Sequence, residues 1–156
     1  MPNRSLKLTA TLIGFLAALA AVTSATAVTP TKTSWATSAN TACRTANAQI
    51  RKLPKVTSNQ IFVADLRATV GIGPPMNAKL AAIPRPASER KAIASLLAIT
   101  RTQQHLLAAM VPAAQRGDQA TMSRLVTNGD KLNTHYNQLA LALGAHVCAE
   151  NPQPSG

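Results

Sequence analysis

Between Met122 and Leu143 one spacing repeats for more than 20 residues: Met122, Leu125, Gly129, Leu132, Tyr136, Leu139 and Leu143 follow at alternating steps of three and four. An α-helix, at about 3.6 residues per turn, brings such positions onto one side, so this stretch is a long amphipathic helix that other helices must cover. Gly129 on that seam predicts a close approach by a neighbouring helix.

The upstream sequence supplies the partners. Ala36, Ala39, Cys43, Ala46, Ile50 and Leu53 form a seam of the same kind, from a cap at Ser34 to a stop at Pro54. A second helix fits residues 59–70, with Phe62 or Val63, Leu66 and Val70 inward. It is expected to break at Gly71-Ile72-Gly73-Pro74-Pro75 and resume as a short piece from Pro75 to Ile83. Pro86 opens a third helix with Glu89 in its first turn. Its stripe is Arg90, Ile93, Leu97, Thr100, Gln104, Leu107, Val111 and Ala114, with Leu96 and Leu106 beside it, and Pro112 should stop or kink it. Gly117 terminates it and Asp118 caps the fourth helix. Gly144 loosens the last turn before Cys148. Short junctions make consecutive helices antiparallel neighbours. The expected fold is therefore all-α: an up-down-up-down four-helix bundle with an interrupted second helix, over residues 34–148. Only Trp35, Phe62 and Tyr136 are aromatic after residue 27, which suits closely packed helices better than a sheet core.

Residues 1–27 read as a secretory signal. Arg4 and Lys7 precede an uncharged apolar run from Leu8 to Val22, and Ala25-Thr26-Ala27 is a small-x-small cleavage site. A run of roughly 15 residues falls short of the ~20 that span a bilayer. An uncleaved anchor is the competing reading, because Thr and Ser extend the uncharged stretch to Val28. Residues 28–33 then form a flexible lead-in and residues 149–156 a disordered tail. In an exported chain the cysteine pair, Cys43 and Cys148, reads as a disulfide rather than a reactive or metal site. The bundle brings the start of the first helix beside the end of the last, close to both cysteines. Closing a loop of about 105 residues contributes roughly 4–5 kcal/mol in the chain-entropy model.

Charge is lopsided, with 16 Lys and Arg against 5 Asp and Glu. Such a surface favours anionic envelope polymers or acidic lipid as partners. Arg44 and Arg51, two turns apart on the first helix, and Lys55 after it form the candidate anion-binding face. Nucleic acid is excluded by the scarcity of stacking aromatics and the lack of a basic stripe. No cofactor or metal is expected. His135 and His146 share a face but lie about 16 Å apart along it, and folding about Gly117 sets His135 opposite residues near Leu97 rather than His105. Tyr136 as a haem ligand competes with Tyr136 as core packing. Nothing resembles a nucleophile elbow, a zinc helix or a phosphate loop. Asp65 and Asp130 read as helix-surface carboxylates, unpaired for acid–base work.

The stretches CRTANAQIRKLP, LAAIPRPASE, AAQRGDQATMSRL and LALALGAHVCAE resemble small exported helical proteins and lipoproteins of actinobacteria. There a Cys followed by Ala-Asn and Leu-Pro opens the domain, Gly-Asp starts the last helix, and Leu-Gly before a second Cys closes it. The matching positions are Cys43, Ala46, Asn47, Leu53, Pro54, Gly117, Asp118, Leu143, Gly144 and Cys148. The resemblance implies origin and fold without a reaction. This chain departs from it in lacking a lipidated Cys and in carrying GIGPP within the second helix. The sequence thus points to a non-enzymatic binding module with a basic surface. The alternatives are a carrier of a small apolar ligand or haem, and a small all-helical enzyme with inward-pointing charges.

Overall fold

A reciprocal cap starts the first helix: the Thr31 hydroxyl accepts from the Ser34 N–H at 3.1 Å, and the Ser34 hydroxyl accepts from the Thr31 N–H at 3.0 Å. Ser34 is thus the third residue of the opening turn rather than its cap, and helical structure already includes residues 32 and 33 of the expected lead-in. The structure, a computed structural model, describes residues 29–152 and 154. The proposed signal segment lies outside them. Four helices follow in order: α1 (Lys32–Ile50), α2 (Asn59–Ala82), α3 (Arg90–Gln115) and α4 (Gln119–Ala142). A 3-10 turn over Ala87–Glu89 leads into α3, and another, His146–Ala149, follows α4. No strand occurs among the described residues.

The break expected in the second helix is absent. α2 continues through Gly71-Ile72-Gly73-Pro74-Pro75, and α3 likewise passes Pro112 to Gln115. An interior proline costs about 3 kcal/mol because it removes one ladder bond and crowds the carbonyl four residues back. Here Pro74, Pro75 and Pro112 are all exposed, as are Gly71 and Ala108, whose carbonyls face the second and third of these rings. Water can take those freed carbonyls. Burial on both sides of the proline pair, Val63 and Leu66 before it and Leu80 after it, holds the helix together.

Gly117 (φ +65°) and Gly144 (φ +80°) adopt the left-handed conformation at the ends of α3 and α4, where a side chain is disfavoured and a helix stops. Asp118 Oδ1 accepts from the Thr121 N–H at 3.0 Å and caps α4. That bond holds the Asp118 carboxyl below its ordinary pKa, so the cap is complete at neutral pH and weakens as acid protonates it.

Two apolar cores occupy opposite ends of the bundle. One joins Trp35, Ala39 and Cys43 of α1 to Leu80, Ile93, Leu96, Tyr136 and Leu143. The other joins Val63, Leu66, Met110, Ala113, Met122 and Leu125. α1 supplies nothing to the second, because it has 19 residues where the others have 24 to 26. Each helix packs along the next in sequence, but α1 and α4 have little direct contact. The His146–Ala149 turn fills the space between them.

That turn is clasped to α1. Cys43 and Cys148 form a disulfide with their Cα atoms 5.1 Å apart. Asn40 Oδ1 accepts from the Val147 N–H at 2.9 Å, and Asn40 Nδ2 donates to the Gly144 carbonyl at 3.2 Å. Asn47 Nδ2 donates to the Val147 carbonyl at 3.0 Å. The expected tail is therefore structured at its start: Glu150 pairs with Arg51 at 2.9 Å, and Asn133 Nδ2 donates to Asn151 Oδ1 at 3.2 Å. Replacing both cysteines, Cys43→Ala with Cys148→Ala, should lower unfolding free energy by roughly 2–5 kcal/mol. Denaturant titration followed by far-UV circular dichroism measures this, and an unchanged midpoint would contradict the clasp.

Candidate functional site

Between the two cores the bundle holds a pocket that is partly open to solvent. A cavity of about 330 Å³ is lined from all four helices: Ala46, Asn47 and Ile50 of α1; Thr69, Ile72, Gly73, Met76 and Asn77 of α2; Thr100, Gln104, Leu107 and Met110 of α3; Gly129, Asp130, Asn133 and Tyr136 of α4. Cys43, Cys148, Glu150 and Asn151 close it on the side of the clasp.

Gly129 is central to this space. A Cβ built on it meets no atom within 4 Å. The close helix approach expected at Gly129 is therefore absent, and the missing side chain leaves part of the cavity open. Gly73 has the opposite surroundings, since a Cβ there would collide with the Gln104 side chain.

The walls are largely apolar, with a few polar groups whose bonding is incomplete. Both side-chain atoms of Asn77 and Nε2 of Gln104 are buried without a hydrogen-bond partner. Unpaired buried polar atoms are rare and ask for a reason, such as a ligand or ordered water that completes them. Thr100, by contrast, donates to the Leu97 carbonyl at 2.9 Å. Tyr136 is 6% exposed, and burial raises its phenol to about 12. It is therefore a neutral hydroxyl at physiological pH. No Lys, Arg or His lines the cavity, and its acidic residues are Asp130 and Glu150.

The residues singled out from sequence lie mostly elsewhere. Arg44 and Lys55 are exposed. Arg51 is matched by Glu150, so the proposed anion face has one of its three charges engaged by a carboxylate. Side chains about half exposed, as both of these are at 47%, place that pair among surface bridges of small energy. His105, His135 and His146 are exposed. Among the described residues no three His, Cys, Asp or Glu side chains gather as metal ligands. Arg90, placed on the α3 stripe, is exposed as well.

Sequence reasoning missed Asp65, which is 9% exposed rather than on the surface. It missed the roles of Asn77 and Asn47 too. A signal was present: Phe62, Asp65, Thr69, Ile72 and Met76 run along α2 at alternating steps of three and four. All five line cavities. Their mixture of polar and apolar types conceals the stripe from a search for hydrophobic periodicity.

Compared with protein-family models, curated proteins and solved structures, the chain shows no significant match to any of them. The cavity must be interpreted on its own chemistry.

Tyr136 is the sole tyrosine, so its titration can be followed directly. The folded protein should develop phenolate absorbance near pH 12, against about 10 for the denatured chain. Because the folded pKa is the higher, the unfolded chain loses its proton first. Stability is then full below about pH 10 and falls by roughly 2–3 kcal/mol between the two values. Phenolate appearing in the folded protein near pH 10 would contradict this burial.

Proposed function

We propose that this protein is a non-enzymatic, exported module that holds a small, mostly apolar molecule between its four helices. One observation carries the reading: a cavity of about 330 Å³ between two well-packed cores contains buried amide atoms of Asn77 and Gln104 without partners. A void of purely structural origin has no need of enclosed carboxamides. A ligand with an apolar body and one or two polar atoms satisfies both walls and amides. Haem fits less well, because its carboxylates would meet Asp130 and Glu150 with no Lys or Arg lining the cavity. Export is supported by the disulfide, which suits an oxidising compartment, and by the signal-like sequence before Val28. No helix among the described residues is long and apolar enough to cross a membrane. The likeness to exported actinobacterial proteins accords with this reading.

The basic surface supports a second property, retention on anionic envelope polymers or acidic lipid. Among the described residues the Arg51–Glu150 pair is the sole salt bridge, which leaves Arg44 and Lys55 of the candidate face exposed and outside any salt bridge. Retention on vesicles rich in phosphatidylglycerol should fall steeply as salt rises, since exposed charges are screened beyond about 10 Å at 0.1 M. Retention indifferent to salt would argue against it.

The cavity itself is tested with Gly129→Leu. A leucine there enters open space and favours the helix by roughly 0.5–1 kcal/mol over glycine, so the variant should unfold at the same or higher temperature. It should nevertheless weaken binding of the neutral fluorophore N-phenylnaphthylamine about ten-fold or more. Equal binding by variant and parent would overturn the assignment.

A further inference from the structure

A second cavity, of about 540 Å³, adjoins the central one. The two share Ile50, Thr69, Asp130, Asn133, Asn151 and Pro152 as a common wall. Beyond that wall the lining is Leu53, Val56, Phe62, Leu66 and Pro154, with one exception. Asp65 is 9% exposed, and its Oδ2 is enclosed without any hydrogen-bond partner.

One oxygen of this carboxylate is thus shut away without a partner, and a cation reaching the group from the cavity offsets that cost. The protein supplies none: no Lys or Arg lines either cavity, although the chain holds 16 of them against 5 acids. Three of those five acids border the paired cavities. Glu150 is matched by Arg51. Asp65 remains inside, with Asp130 exposed on the shared wall. Among the described residues the Lys and Arg side chains lie outside both cavities, whereas Asp65 and Asp130 border them without a basic partner, the reverse of the overall charge.

We propose that the paired cavities bind a cationic amphiphile, an organic ammonium group attached to an apolar body. The ammonium donates to Asp65, with Asp130 adding attraction, and the acceptor oxygens of Thr69 and Asn133 lie on the same lining. The apolar body passes the shared wall into the central cavity, where Asn77 and Gln104 meet its remaining polar atoms. This inference rests on the proposed ligand-binding role and specifies the class of ligand.

Isothermal titration calorimetry with decylamine, decanol and decanoate at neutral pH, each below its aggregation concentration, tests it. Decylamine should bind the full protein at least about ten-fold more tightly than decanol, the worth of a charge-assisted hydrogen bond in a desolvated site. Decanoate should bind most weakly. Asp65→Asn, a neutral near-isostere, should abolish the preference for the amine while decanol binding persists. Glu89→Gln, which alters an acid outside both cavities, should leave the preference intact. Equal binding of amine and alcohol by the parent protein would overturn the cation preference and leave the ligand cavity standing. Binding of none of the three probes would overturn both. Should Asp65→Asn lose its fold, the parent's preference among the probes still decides the matter.

Discussion

The attachment of the C-terminal turn to α1 determines the shape of everything between them. α1 and α4 have little direct packing, so without the turn the bundle would be an open row of helices. The disulfide between Cys43 and Cys148 joins residues 105 apart in sequence. Asn40 and Asn47 complete the turn's backbone bonding on either side of it. A covalent bond alone would tolerate rotation of the turn; the asparagine side chains fix its orientation. Gly144, at φ +80°, allows the chain to leave α4 in the direction that reaches them.

Keeping α1 and α4 apart makes room for a hollow. At one end Trp35, Leu80, Ile93 and Leu143 fill the interior, and each is 1% exposed or less. At the other, three helices pack without α1. In the middle, small or polar residues such as Ala46, Thr69, Gly129 and Asn133 stand among the larger apolar side chains of the lining. Larger side chains at these positions would have joined the two cores into one. A chain so strongly basic also keeps its cations off this lining, and that separation of charge bears on what the hollow can hold. The proposed function and the proposed ligand class both follow from this arrangement.

Much of the architecture was legible in the residues. The steps of three and four in α1, α3 and α4, the glycine terminators and the Asp118 cap lead to four helices in antiparallel order, and the cysteine spacing leads to the bond between first helix and final turn. The prolines misled because their local preference opposes a helix. Pro74, Pro75 and Pro112 are accommodated on exposed helix faces, with Gly71 and Ala108, whose carbonyls Pro75 and Pro112 crowd, exposed as well. Gly129 misled in another way, since a glycine on an apolar seam marks either a close contact or an absence, and the periodicity of the seam is the same in both. The anion face on α1 was judged from one helix, whereas Arg51 is matched by Glu150 from beyond the last helix.

What the sequence by itself determined is local and periodic: that four segments coil, that glycines end α3 and α4, which faces of α1, α3 and α4 turn inward, and the sign of the surface charge. These follow from backbone preferences and spacing within a few turns. Which inward positions meet atoms and which meet empty space was decided only by tertiary structure. That depends on helix lengths, on the short reach of α1, and on the turn held between α1 and α4. Asp65, Asn77 and Gln104 are ordinary polar residues of amphipathic helices until their neighbours enclose them, and enclosure is a property of the assembled bundle.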